Sequence, residues 1–378
     1  MSVPKIRSSE RAAFKRCQAA WWWRYREGLI KKGLSTDARW FGTGVHLALA
    51  RWYTGPGTKR GPEPRETWEE YAKEVELAYV RTDMADEETV AKYTDARELG
   101  HAMLEGYRET YGRDDRWLVH IPERQFSLKI PWPTQNLWDP ATLDEFLAEL
   151  VGTYDLVYRD AETGRWWLGE HKTARAIILR HLALDNQAGT YWATATTELQ
   201  REGVLGDKEF LAGINYNFLR KGMPDLRPRD AEGYHTNKPV KADYLAALEA
   251  AEYLPVDTKP LSKLTLAGLE EAAAGLELEV LGERSKIQPP ALFLRHEVHR
   301  TRPERRAQLL RAQTDALQME VYRDGLLPLT KTPDRDCSFC DYYDICELQE
   351  RGGDWETLRD MTFKAEDPYA DHRKSTDD

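Results

Sequence analysis

The chain has 378 residues, 31% of them Asp, Glu, Lys or Arg, and a formal net charge of −10. With a mean hydropathy of −0.69 and no apolar run near the ~20 residues that cross a bilayer, it reads as a soluble protein of two or three units at about 150 residues each. Taken whole, the acidic balance argues against nucleic acid, which usually meets a basic surface. The charge is uneven, however: residues 1–32 hold nine Lys/Arg against two acids, residues 66–88 nine acids against two bases, and residues 295–311 six Arg against two acids.

In chain order, Ser8 or Ser9 caps a predicted helix over 9–27. The N-terminal stretch MSVPKIRSSERAAFKRC has no apolar run before a small-residue cleavage site, so a cytoplasmic, reducing location is expected. Four cysteines are too few for a disulfide scaffold in a chain of this size and are expected to be ligands or core groups. Helices are predicted over 44–54, 66–80 and 87–110. Residues 123–130 alternate apolar and polar, which is strand periodicity. After three prolines, 141–149 reads as a short helix. Val151 to Tyr158 and Arg165 to Lys172 read as two strands of a hairpin around a turn at 160–164. A helix over 180–201, a strand over 210–219, helices over 241–253 and 265–279, a strand over 291–298 and a helix over 303–323 follow. The acidic stretch beyond 351 is expected to be a disordered tail. Mixed strands and helices argue an α/β or α+β core with helical additions.

Two groups of residues carry chemistry. Asp155 lies in an apolar strand, and Glu170 and Lys172, two residues apart on the returning strand, share one face. Two carboxylates can hold Mg²⁺ or Mn²⁺ through hard oxygen ligands. Such a cation activates water for hydrolysis of a phosphate ester, and a lysine can steady the developing charge. The second group is Cys337, Cys340 and Cys346, spaced C-x2-C-x5-C, with Cys17 far upstream. Four thiolates suit either a tetrahedral zinc site or a 4Fe–4S cluster, and spacing does not choose between them.

Together these groups resemble the PD-(D/E)xK nuclease superfamily, in its iron–sulfur RecB/AddB-like branch of CRISPR-associated and phage exonucleases. Cys17, Cys337, Cys340 and Cys346 match that branch's cysteine layout. Gly42-Thr43-Gly44-Val45-His46 resembles the helix-borne histidine motif, Gly152-Thr153-Tyr154-Asp155 the G-x-x-D motif, Gly169-Glu170-His171-Lys172-Thr173 the D/E-x-K-T motif, and Gln187 with Tyr191 the Q-x3-Y motif. Many relatives have Asp where Glu170 stands. No Walker A loop is present, so the chain resembles a nuclease without a helicase motor.

The resemblance implies a restriction-endonuclease-like α/β core, a central mixed sheet flanked by helices, with a C-terminal iron–sulfur segment. Its implied layout is an N-terminal helical segment 1–60, a helical insertion 61–114, a nuclease core 115–222, an extension 223–330, a cysteine segment 331–350 and the tail 351–378, all in one compact nuclease unit. It implies a metal site of His46, Asp155, Glu170 and the His171 carbonyl, with Lys172, Gln187 and Tyr191 serving catalysis. It also implies a 4Fe–4S cluster on the cysteines, Mg²⁺ or Mn²⁺ as cofactor, and exonuclease action on single-stranded or frayed DNA, 5′ to 3′ by analogy. DNA-processing or recombination proteins are its expected partners. Basic groups in 5–32 and 295–311, with Arg220 and Lys221, are expected to follow the phosphate backbone, and Trp21, Trp22 and Trp23 either stack on bases or pack in the core. A competing reading is a non-catalytic DNA-binding or assembly subunit with a structural metal, against which Asp155, Glu170 and Lys172 weigh together.

Overall fold

A computed structural model describes residues 3–32, 39–81, 86–133, 146–254 and 260–370. Two compact units divide the chain, one of residues 1–222 and 293–378, the other of residues 223–292.

The first unit opens with β1 (Lys5–Ile6) and α1 (Ser8–Arg16), whose single acid lies in the first turn and whose Lys15 and Arg16 lie in the last, as the helix dipole favours. The predicted helix 9–27 breaks at Cys17, where the backbone is extended (φ −162°, ψ 118°). It resumes as α2 (Gln18–Trp21) and a π-helical turn over Trp22–Arg26. Consecutive residues of a helical turn point in different directions, which separates the three tryptophans. Trp21 is fully buried and donates its indole N–H to Glu10 (3.0 Å), and Trp23 packs on the Tyr342 ring. Neither is available to a base, and core packing accounts for both.

After β2 (Leu29–Lys31), α3 (Arg39–Trp52), α4 (Pro64–Val75) and α5 (Glu87–Tyr111) form a helical layer. Pro64 stands at the first position of α4, where its missing N–H costs nothing, and Asp86 caps α5 by accepting from Thr89 N–H. The layer closes around Trp68, which is fully buried. Gly44 of α3 and Gly100 of α5 make the room: a Cβ at Gly44 would lie 2.7 Å from the Trp68 ring and 2.5 Å from Tyr71, and one at Gly100 2.1 Å from Trp68. Gly44→Ala is therefore expected to lower stability by roughly 1–3 kcal/mol through overpacking, read as a fall in Tm and a parallel loosening of His46 one half-turn on.

The strands follow: β3 (Trp117–Ile121), β4 (Arg124–Pro131), β5 (Phe146–Tyr154), β6 (Leu156–Asp160), β7 (Trp166–Ala174), then α6 (Asn186–Arg201) and β8 (Gly213–Arg220). In the second unit, α7 (Lys241–Ala250) and α8 (Leu266–Gly275) pack over Leu248, Leu269 and Ala273. The chain returns to the first unit with β9 (Phe293–His299) and α9 (Arg302–Arg323), so these two elements stand apart from the rest of the predicted 223–330 extension. It ends with α10 (Tyr343–Glu350), α11 (Trp355–Thr362) and β10 (Phe363–Ala365).

A five-stranded mixed sheet runs β3-β6-β7-β8-β9, with β7 and β8 parallel across the α6 crossover and the other pairs antiparallel. Successive side chains face opposite sides. Val157, Leu168, Ile214 and Tyr216 pack toward Trp192 of α6 and Met319 of α9, whereas Leu156, Tyr158, Trp167 and Leu219 pack toward Trp52, Trp68 and Tyr107. A smaller sheet, β1-β5-β4, stands beside it, and β10 pairs with β2.

Three expectations need correction. Residues 146–149, predicted within a helix over 141–149, are strand; 141–145 lie outside the described residues. The Leu, Ala and Glu content of this segment favours a helix locally, but antiparallel pairing with β4 and parallel pairing with β1 override that weak preference. The predicted strand 151–158 is two strands in two sheets, β5 ending at Tyr154 and β6 starting at Leu156. Residues 351–370, expected as part of a disordered tail, carry α11 and β10, and Tyr369 is buried; residues 371–378 lie outside the described residues.

Candidate active site

Asp155 is the corner between the two sheets, held by backbone geometry on either side rather than by a continuous strand. Its Oδ2 accepts the His171 backbone N–H (2.8 Å), and its Oδ1 hydrogen-bonds His46 Nδ1 on α3 (3.2 Å). Burial alone would raise its pKa, but His46 and the His171 N–H hold it at about 2.

β6 pairs with β7 only from Trp166 to Gly169. Beyond that point β7 runs on against β8 alone, which leaves Glu170 and Lys172 facing a cleft instead of a partner strand. Glu170 is 3% exposed. Burial pushes its carboxyl up; Lys172, whose Nζ donates to Oε1 at 2.6 Å, offsets part of this, and Asp155 adds to it, leaving about 7. Burial opposes the Lys172 charge too, and Glu170 more than restores it. For His46, burial is outweighed by Asp155 and Glu170, which lift it to about 9.

α6 brings the last two predicted residues. Asp185 caps it, accepting from the Gln187 and Ala188 N–H groups, so Gln187 opens the helix and Tyr191 lies one turn on, on the same face. Gly152, in the same motif as Asp155, is glycine because a Cβ would lie 2.7 Å from Phe126 and 3.0 Å from Tyr191. His46, Asp155, Glu170, Lys172, Gln187 and Tyr191 thus all line one cavity of about 650 Å³, gathered from α3, the β5–β6 corner, β7 and α6.

A family model described as the PD-(D/E)XK nuclease superfamily matches residues 8–347. The chain belongs to that superfamily. A comparison with curated proteins gives no match. Superfamily members are nucleases that use divalent metals such as Mg²⁺, so DNA is the substrate class of this nuclease. Its mixed sheet flanked by helices fits the fold. No helix among the described residues is long and apolar enough to cross a membrane.

The donor types at the nuclease's cleft fit a divalent cation: the buried Glu170 carboxylate, the partly buried Asp155 carboxylate and the His46 imidazole are oxygen and nitrogen ligands. Each carboxylate is turned onto a protein donor, and among the described residues no group of three or more His, Cys, Asp or Glu side chains is disposed to hold a metal ion as it stands. His171 keeps its side chain on the far side of β7. Its Nδ1 lies 2.9 Å from Asn217 Nδ2, its ring stacks on Tyr53, and burial lowers it to about 4, so the ring is neutral. Behind it, Asn217 donates to Tyr107 (3.0 Å), Tyr107 meets Tyr53 (2.6 Å), and Arg295 grips Asp114 through both terminal nitrogens (2.9 and 2.7 Å).

The four cysteines are free thiols in one neighbourhood. Cys17, Cys340 and Cys346 pack on a small core with Trp23, Tyr342 and Phe363, and burial pushes Cys340 and Cys346 up. The expected 4Fe–4S segment finds no support in a ready-made ligand set. Uncharged thiols against an aromatic core gain by packing as small hydrophobes.

Sequence reasoning placed Arg7 only among the basic groups of 5–32 and Glu123 only at the start of a strand, yet both line the cleft. Burial and Asp155 raise the Glu123 carboxyl. Neither residue sits in a motif, and only the sheet corner and the start of α1 bring them near Asp155. The arginines of 295–311 are less available than expected. Arg295 is committed to Asp114, and Arg300, whose side chain is 1% exposed, donates to the Leu182 carbonyl (3.0 Å) and pairs with Glu304.

These shifts set a pH dependence. His46, raised from 6.5, favours the folded state fully below its unfolded value, and that contribution is lost as pH rises through about 9. Glu170, raised from 4.5, favours it while protonated and loses that between 4.5 and about 7. His171, lowered from 6.5 to about 4, works the other way and offsets Glu170 between about 4.5 and 6.5. In EDTA the Tm is therefore expected to change little from about pH 5 to 6.5 and to fall from about 6.5 to about 9 as His46 loses its proton. In Glu170→Gln the His171 contribution is unopposed, so the Tm should rise from about pH 5 to 6.5 before that fall. Thermal melts across the range check it; a wild-type Tm that does not fall would contradict the assignment.

Proposed function

We propose that the chain is a divalent-metal-dependent DNA exonuclease acting on single-stranded or frayed ends. The convergence of Asp155, Glu170, Lys172 and His46 on one cleft carries this reading. Asp155, Glu170 and, once it has given up its proton, His46 would hold the cation, which when bound lowers the pKa of water and offsets charge on the phosphoryl oxygens. The chain's own groups do the rest. The cleft wall holds the scissile phosphate against the carboxylates. Lys172, steadied by Glu170, donates an N–H to the attacking water or to a phosphate oxygen and so stabilises charge as it develops. Gln187 and Tyr191 steady the strand beside it. Water adds to phosphorus, the bond to the leaving sugar oxygen breaks, and that oxygen takes up a proton. A polarity of 5′ to 3′ follows the family analogy.

The four cysteines carry a 4Fe–4S cluster in this reading, tying the segment after α9 to Cys17. Iron and sulfide analysis of anaerobically purified protein tests it; zinc without sulfide overturns the cluster and leaves the nuclease reading standing.

End-labelled single strands, 5′- and 3′-blocked strands and covalently closed circles, each with Mg²⁺ or Mn²⁺, test the activity. Linear strands should be degraded from one end and circles spared. Circles cut as fast as linear strands would overturn the exonuclease assignment, and no cutting of any substrate would favour the DNA-binding subunit.

A further inference from the structure

Arg7 lines the cleft together with Asp155, Glu170 and Lys172. Its Nε and Nη2 atoms are buried without a hydrogen-bond partner, and among the described residues it has no ion pair. A buried charge without a counter-charge is costly and ordinarily finds an anion. The nearby acid of α1, Glu10, is committed elsewhere: it accepts from Trp21 (3.0 Å) and from Tyr369, and pairs with Arg323 (3.5 Å). The Arg7 guanidinium instead rests on the Tyr369 ring, 4.9 Å from its centroid. That contact fixes its plane, and with Nε and Nη2 closed off, Nη1, which is not buried and makes no hydrogen bond among the described residues, is the donor a ligand can reach. Tyr369 is 6% exposed, so the platform is firm.

We infer that Arg7 is a phosphate anchor of the cleft, a substrate-positioning residue that takes a phosphate of the bound DNA strand away from the catalytic carboxylates. The inference rests on the nuclease reading and deepens it. A guanidinium N–H gives a charge-assisted hydrogen bond to a phosphate oxygen, and the ring beneath fixes its direction as it would not fix a lysine's. The anchored phosphate is either an internal phosphodiester or a terminal phosphate monoester; both present the same oxygens.

The test is strand binding by the full chain in EDTA, measured as a function of salt with 5′-phosphorylated and 5′-hydroxyl oligonucleotides. Arg7→Gln, compared with wild type, should weaken binding about tenfold and reduce the slope of log K against log salt by about 0.7. Arg7→Lys should recover the slope and only part of the affinity. A loss seen with both oligonucleotides assigns an internal phosphodiester, and a loss confined to the 5′-phosphorylated one assigns a terminal phosphate. An unchanged slope and affinity in Arg7→Gln would overturn the anchor while leaving the nuclease reading intact; if the wild type does not bind in EDTA the same comparison is made in Ca²⁺, and no binding in either would overturn both. If Arg7→Gln does not fold, phenylglyoxal modification of wild-type protein followed by peptide mass mapping decides. The oligonucleotide should shield Arg7, and equal labelling with and without it refutes the anchor.

Discussion

Asp155→Asn is expected to lower the rate of DNA cleavage by about 10³-fold or more, equivalent to ~4 kcal/mol of lost transition-state stabilisation. Asn keeps a carbonyl oxygen for the His171 N–H and a polar contact for His46, so the sheet corner survives. What disappears is the negative charge. The site depends on it twice: it holds His46 charged in the resting protein, and it is the carboxylate that stays ionised when burial pushes Glu170 up to about 7. A cation entering the cleft meets one fully ionised carboxylate, and in the variant it meets only Glu170, which burial pushes up to about 7. Excess Mg²⁺ should not restore the rate. The measurement is single-turnover degradation of an end-labelled strand, with the Tm recorded alongside. Activity equal to wild type at an unchanged Tm would remove Asp155 from catalysis.

Asp315→Ala is expected to produce the largest loss of stability among single substitutions away from the cleft, roughly 3–5 kcal/mol, because it strands a buried charge. Asp315 on α9 accepts from Arg11 Nε (2.7 Å) and Lys15 Nζ (2.8 Å) of α1, with Arg11 only 3% exposed. Arg11 also donates to Thr190 of α6 (3.0 Å). One carboxylate therefore ties together three helices, and two of them carry cleft residues, Arg7 and Ser9 at the start of α1 and Gln187 and Tyr191 on α6. The Tm should fall by about 4–6 °C in a chain of this size. The double variant Arg11→Leu/Asp315→Leu should recover part of the loss, since an apolar pair of similar volume carries no desolvation cost. A single variant as stable as wild type would show that Arg11 finds another partner.

The candidate site was legible because its parts obey local rules. Glu170 and Lys172 share a face because strand side chains alternate, and Gln187 and Tyr191 share one because four residues make about a helical turn. The glycines of the two motifs were legible as letters and not as reasons. Gly44 makes room for Trp68, contributed by a helix that follows, and Gly152 for Tyr191, thirty-nine residues on. Elsewhere local rules misled. The segment 146–149 has helical composition, yet hydrogen bonds from β4 and β1 make it a strand. The apolar run 151–158 looks continuous because both halves are buried, and nothing local marks the change of sheet at Asp155.

Sequence alone determined which chemical groups this nuclease has to work with: two carboxylates, a lysine, a histidine and four thiols in a recognisable order. It did so because those motifs are short and their spacing follows backbone periodicity. Tertiary structure alone decided which charges are free. The arginines at 295 and 300 are spent on Asp114, Glu304 and a backbone carbonyl, while Arg7 remains unpaired beside the cleft. Net charge and local composition cannot separate these cases. Whether a charge is available depends on burial and on partners that lie anywhere from a few residues to hundreds of residues away, and only packing brings them within hydrogen-bond reach.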